Sequence, residues 1–182
     1  HAPAHGCHDA NACVARVVTL QTKRVETEQH GGSMLGYSTF VPPGATVTVK
    51  AVDTAYPLLG DMVLKSQSEQ KHQVSEGELW LDERIFAQLE VNIGDNVTIG
   101  DADFVISGRI AQEPGLSFNQ FQQMPSAFIH QNDVEKTGAI QLGSRVQYRL
   151  FLTGDNNEIQ TVKDAVELTP SDRWRDQDSA SR

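Results

Sequence analysis

A side-chain period of two constrains this sequence more than any other feature. Over residues 145–152, Val146, Tyr148, Leu150 and Leu152 alternate with Arg145, Gln147 and Arg149, so the two sets lie on opposite sides of a strand. Val47, Val49 and Ala51 alternate with Thr46, Thr48 and Lys50 in the same way over 45–53. Residues 96–99 and 104–110, joined through Gly100-Asp101-Ala102, predict a hairpin whose inward side chains are Val97, Ile99, Phe104, Ile106 and Ile110. Further strands are expected at 24–28, 33–40, 61–65, 77–81 and 127–129, with a last edge strand at 173–176.

Helical spacing is rarer. Asp9 caps an expected helix to about residue 20, with Cys13, Val17 and Leu20 on one face. Asp82 caps a second to about residue 90, burying Ile85, Phe86 and Leu89. Asp155 and Glu158 form a capping box before a third, which buries Ile159, Val162, Ala165 and Val166 and ends before Pro170. Residues 131–136 read as a helical turn, and Asn92-Ile93-Gly94-Asp95 as a tight turn. Many hairpin-connected strands with about three short helices predict an α+β fold, mostly antiparallel, and not a doubly wound parallel sheet. Residues 1–15 read as an irregular N-terminal segment and 16–182 as the domain, with 77–113 a small β-rich subdomain carrying one helix.

Composition narrows the function. Of 182 residues, 38% are hydrophobic and 21% charged, enough to bury one real core. The net charge of −9, from 15 basic and 24 acidic side chains, repels phosphate backbones and excludes nucleic acid as a partner. Anionic lipid headgroups are repelled for the same reason. No stretch reaches the roughly 20 apolar residues that a membrane helix needs. The chain starts at His1, so it reads as a processed form or a fragment whose targeting information lies elsewhere.

The motifs of enzyme chemistry are mostly missing. No Gly-Lys pair and no G-x-G-x-x-G occurs, so a phosphate cradle or dinucleotide fold is unsupported, and no cofactor is expected. Gly31-Gly32-Ser33-Met34-Leu35 approaches a nucleophile elbow but carries Leu35 where glycine is required. His1, His5, Cys7 and His8, with Asp9, have zinc or copper ligand types; their local spacing reads more simply as an irregular tail without a supporting shell. Cys7 and Cys13 form a small-loop disulfide in an oxidising compartment, or remain two thiols. Glu76, Glu78, Asp82 and Glu83 cluster in sequence, and a soluble hydrolase would need Glu78, Asp82 or His130 to converge. Negative charge at a helix start explains Asp82 and Glu83 without catalysis. Leu116, Phe118, Phe121 and Met124 lie in a Gln-rich loop, where they either fold back on the core or meet a partner.

Three blocks together carry a resemblance over about residues 20–178. Val49-Lys50-Ala51-Val52-Asp53 precedes Tyr56-Pro57-Leu58 and Gly60; Gly77-Glu78-Leu79-Trp80-Leu81-Asp82-Glu83-Arg84 precedes Leu89, Gly94-Asp95, Val97, Gly100, Phe104, Gly108, Ile110 and Glu113. The third block holds Thr137-Gly138, Gly143-Ser144-Arg145-Val146, Tyr148-Arg149-Leu150 and Gly154-Asp155, with Arg173-Trp174 further on. In order and spacing these resemble the periplasmic core domain of MacB/FtsX-like ABC transporter permeases, in particular the YbbP-like branch. The resemblance implies a non-catalytic domain of an inner-membrane protein, following the first of its own transmembrane helices. It implies a separate cytoplasmic ATPase subunit, a second permease copy and an extracytoplasmic partner, with an envelope- or lipid-related substrate. It marks Lys50, Asp53, Tyr56, Pro57, Gly60, Trp80, Asp82, Gly94, Asp95, Gly108 and Arg145 as structural motif residues. An untethered periplasmic adaptor or binding module is the other non-enzymatic reading.

Overall fold

The computed structural model describes residues 13–27, 44–58, 62–65, 73–113 and 124–170. The elements are β1 (Cys13–Thr27), β2 (Gly44–Val52), β3 (Val63–Lys65), β4 (Glu78–Asp82), α1 (Glu83–Leu89), β5 (Asn96–Ile99), β6 (Ala102–Gln112), β7 (Ser126–His130), β8 (Val146–Thr153) and α2 (Asn156–Ala165). Two single-turn 3-10 segments, Gln131–Asp133 and Glu135–Thr137, follow β7.

Six strands close into a ring in the order β1-β2-β7-β4-β6-β5, because β1 pairs with both β2 and β5. The β2–β7 and β4–β6 pairs are parallel and the others antiparallel, so the sheet is mixed. Alternation fills the interior. Val47, Val49, Ala51, Leu79, Leu81, Val97, Ile99, Phe104, Ile106, Ala127 and Ile129 pack into one cluster. Each large side chain here contributes about 1.5–3 kcal/mol over its exposed state. Helix α1 joins the same cluster through Ile85, Phe86 and Leu89, and its first turn is fixed by Asp82, whose Oδ1 accepts from the Arg84 N–H at 2.9 Å. Closing the ring removes the edges that six separate strands would expose.

A register shift between Leu20 and Lys23 divides β1. Its second half lies in the ring, with Val25–Thr27 against β5. The first half leaves the ring on that side and pairs instead with β8, from Cys13 opposite Thr153 to Leu20 opposite Val146. The β1–β8 pair therefore forms a wing beside the ring. On the other flank, β3 adds to the far half of β6.

The expected hairpin, the capped α1 and strands β2, β4, β7 and β8 are all present, some with ends shifted by a residue or more. The helix expected up to residue 20 is not. Cys13–Leu20 is strand, and so residues 13–15 are not irregular. Buried Ala15, Val17 and Thr19 alternate there with Val14, Arg16 and Val18, and β-branched side chains at this period fit a pleated pair better than a helical turn. The third helix begins at its capping box as expected but buries none of its residues, so the inward face assigned to Ile159, Val162, Ala165 and Val166 is corrected. On the apolar face of β8, Val146 packs against the interior cluster while Tyr148 and Leu150 are exposed. Strands expected at 33–40 and 173–176, and Ser33, lie outside the described residues.

Candidate functional site

The outer face of the ring gathers most of the motif residues. Strands β2, β4 and β7 turn Lys50, Val52, Trp80 and Phe128 outward, opposite in parity to the interior set. In β6 the outward parity is restored by a bulge: Leu79 pairs with Ile106 but Trp80 with Gly108, leaving Ser107 as the extra residue. Gly108 is required at that point. A Cβ there would stand 2.6 Å from Trp80 Cδ1, so the indole lies flat against bare backbone. Three buried side-chain atoms without a hydrogen-bond partner, Trp80 Nε1, Ser107 Oγ and Arg109 Nε, all sit at this bulge.

The segment after β2 folds over this face. Asp53 ties it down: its Oδ2 accepts from the Arg16 N–H at 2.8 Å and its Oδ1 from the Ala55 N–H at 3.1 Å. Tyr56, which precedes a cis peptide bond to Pro57, stacks on Phe128 at 5.9 Å between ring centres and meets Phe151 of β8 at 6.0 Å. Lys50 Nζ lies 2.6 Å from Glu113 Oε2 and 5.4 Å from the centre of the Phe128 ring. The Glu113 side chain is 7% exposed and that of Lys50 23%, so the pair is largely withdrawn from water. Burial, reinforced by the nearby Glu113 carboxylate and opposed by Arg149, pushes the Tyr56 hydroxyl up to about 12.

Lys50, Asp53, Tyr56, Pro57, Trp80 and Gly108 thus come together. Asp82 instead caps α1 and holds Arg84 at 2.8 Å. Gly94, at φ +97°, and Asp95, whose Oδ2 accepts from the Asn92 N–H at 2.8 Å, close the turn before β5. Arg145 is exposed just before β8. His1, His5, Cys7, His8, Gly60, Leu116, Phe118 and Phe121 lie outside the described residues, while Met124 is exposed. Sequence reasoning did not select Glu113 as a site residue. Its signal was a single acid ending the long apolar run of β6, on the face that Lys50 also points to.

The residues considered for hydrolysis are occupied elsewhere. Glu78 and Asp82 begin and end β4, which separates them by roughly 13 Å at strand spacing. His130 Nδ1 accepts from the Asn132 N–H at 3.1 Å, capping the 3-10 turn. Among the described residues no group of three His, Cys, Asp or Glu side chains is placed to hold a metal ion. Open clefts are present among the described residues. One of about 260 Å³ is lined by Lys23, Asp101 and Thr137, and one of about 430 Å³ by Glu83, Phe86, Glu90 and Arg109. No described helix is long and apolar enough to cross a membrane.

This mixed ring with few helices defines a recurring class of domain. It is shared with a domain assigned to a permease protein from Porphyromonas gingivalis, at TM-score 0.53 and 10% identity over 86% of this chain and 68% of that one. The periplasmic region of MacB from Actinobacillus actinomycetemcomitans aligns at TM-score 0.46 and 11% identity, over 88% and 80% of the two chains. The extracellular domain of YknZ from Gram-positive bacteria aligns at 0.49 and 8%, over 80% and 68%. No family model matches the chain. The sequence is 36% identical over 153 residues to the uncharacterized ABC transporter permease YbbP of Escherichia coli (strain K12). The chain is thus a relative of the YbbP-type ABC transporter permeases, as its motifs implied. The match takes in 79% of this chain, which spans less than a fifth of that relative's length, 18%.

Proposed function

We propose that the chain is the extracytoplasmic domain of an ABC transporter permease held in the inner membrane by its own transmembrane helices. In this reading it makes and breaks no bonds. It couples ATP hydrolysis on a separate cytoplasmic subunit to the movement or export of an envelope- or lipid-related substrate, together with a second permease copy and an extracytoplasmic partner. The domain is taken as residues 16–182, with Leu116, Phe118, Phe121 and Met124 as a contact surface for a partner.

One observation carries the reading. The motif residues Lys50, Asp53, Tyr56, Trp80 and Gly108 are each engaged with side chains or backbone in or beside β1, β2, β6 and β7: Lys50 with Glu113, Asp53 with the Arg16 N–H, Tyr56 with Phe128, and Trp80 against Gly108. Such bracing stiffens a body, and a relay needs a stiff body more than a reactive one. The test uses the full permease with its ATPase, reconstituted in liposomes. Replacing Tyr56 and Lys50 by Ala should uncouple ATP turnover from transport while ATP binding persists. Unchanged coupling after removal of the whole 182-residue region would end the proposal.

A further inference from the structure

The sheet ends on an open edge. Strand β8 stands last in it and pairs with β1 alone, so every second N–H and C=O of its eight residues turns away from β1 and meets no described strand. Ring closure uses up most other edges, which leaves this as the longest free one among the described residues. β8 has no proline, and its pairing with β1 runs without a register shift. Its backbone therefore holds nothing that would keep a further strand from adding.

The side chains along this edge say which strand fits. Arg145, just before β8, lies on the same side as Gln147 and Arg149, and all three are exposed. The other side carries Tyr148, 71% exposed, and Leu150, 43% exposed. From Lys136 to Gly154 the sequence has no acid, in a chain of net charge −9. Arg149 reaches the Gln147 amide oxygen at 3.2 Å, and among the described residues neither Arg145 nor Arg149 has a carboxylate partner. An added strand continues the pleat, so alternate residues of it stand beside the arginines and the residues between them stand beside Tyr148 and Leu150.

We propose that the free edge of β8 takes up an extended segment of a partner protein in which acidic and apolar residues alternate. Its backbone pairs with the outward N–H and C=O groups, its acids with Arg145 and Arg149, and its apolar side chains with Tyr148 and Leu150. The two arginines then act as a filter that turns away basic strands and admits acidic ones. A second copy does not fit: its β8 brings no acid to the edge, so every register of that pairing leaves the arginines unpaired, between two chains that both carry −9. The inference gives a chemistry to the extracytoplasmic partner of the proposed function. Binding is read on the 182-residue chain, without ATPase or bilayer, so a failure here is distinct from a failure of transport coupling.

Two synthetic peptides test it, one alternating Glu with Val and the other Lys with Val. In amide NMR titrations the Glu peptide should shift residues 145–152 and protect β8 amides from exchange, and the Lys peptide should do neither. N-methylating every second amide of the Glu peptide should abolish binding in one phase and spare it in the other, since only one edge of an added strand pairs. The double variant Arg145→Glu with Arg149→Glu should weaken the Glu peptide by about tenfold or more and bind the Lys peptide in its place. Thermal melts check that this variant folds, and its gain of the Lys peptide is a signal that an unfolded chain cannot give. No binding, equal binding of both peptides, shifts confined to other residues, or indifference to both N-methylation phases overturns the proposal. So does concentration-dependent dimerisation through β8, or retention on phosphatidylglycerol vesicles without peptide binding.

Discussion

The two halves of β1 follow the same side-chain period, and the inward face of the first half meets a different fate at its outer end. Beyond the register shift, Val25 is fully buried; before it, Val14 on the outer part of the strand is 39% exposed. Propensity does not distinguish the halves. The second half has the closed ring and α1 in front of it, and the first runs between β2 and β8 with its outer end, at Val14, beyond the last β2 pairing. Alternation assigns a side chain to a face, and a second layer decides whether that face is core. The ring therefore holds the larger core, and the outer end of the wing leaves Val14, Tyr148 and Leu150 exposed.

The largest expected contrast follows directly. Phe104→Ala empties a fully packed interior position and should cost about 3–5 kcal/mol. Tyr148→Ser on the wing should stay within about 0.5 kcal/mol. Urea unfolding of the two variants compares them; equal losses would mean that the wing is as much a part of the core as the ring.

The outer face of the ring should behave as a braced polar network. Removing one member of the Lys50–Glu113 pair, as in Lys50→Met, leaves a carboxylate buried and should cost about 2–3 kcal/mol. That is below the roughly 3–5 kcal/mol of a fully buried pair, because Lys50 keeps some contact with water. The double variant Lys50→Met with Glu113→Leu should recover most of the loss. Additive losses in the double-mutant cycle would show that the two groups do not act as a pair.

Tyr56 gives the same face a signature in pH. Its folded value, about 12, lies above the ordinary value of 10.0, so below pH 10 the hydroxyl is neutral in both states and costs nothing. Between pH 10 and 12 the unfolded chain ionises while the folded one does not, and stability falls. The full loss is about 2–3 kcal/mol for two pH units at about 1.4 kcal/mol each. Tyr56→Phe should flatten the stability curve over that window relative to the parent chain, and parallel curves would show that Tyr56 is not buried as described.

Gly108→Ala comes next. The added methyl meets Trp80 Cδ1 at 2.6 Å, in a strand whose backbone is fixed on both sides, and overpacking of this kind costs about 1–3 kcal/mol. Trp80 fluorescence should shift with the loss. An unchanged spectrum and midpoint would mean that the indole has room to move.

Much of the ring was legible in the sequence because strong period-two patterns and caps sit in it. Val47, Val49 and Ala51, the 96–110 hairpin and the Asp82 cap all appear where the residues indicate. Two kinds of feature were not. Closure of the ring depends on β1 pairing with strands far along the chain, and Asp9 with the Cys13, Val17, Leu20 spacing gave that segment a competing helical reading. The burial of α2 was overestimated for a related reason: an amphipathic pattern shows that a face seeks cover, and nothing local shows whether cover exists. The site was half legible. The motif named Lys50, Tyr56 and Trp80, but the Lys50–Glu113 contact spans 63 residues and has no local signal.

The smallest effect should fall on α2. Its capping box is complete: Asp155 Oδ1 accepts from the Glu158 N–H at 2.8 Å, and Glu158 Oε2 accepts from the Asp155 N–H at 3.2 Å. Asp155→Ala should remove about 1 kcal/mol of local helix stability. A ten-residue helix is marginal by itself, and this one buries none of its residues, so little beyond the cap and its own hydrogen bonds holds it. The variant should therefore lose amide-exchange protection across residues 156–165 while the urea midpoint of the ring stays where it was. If the midpoint fell with the helix, α2 would be coupled to the core, and the division between ring and wing would have to be redrawn at β8.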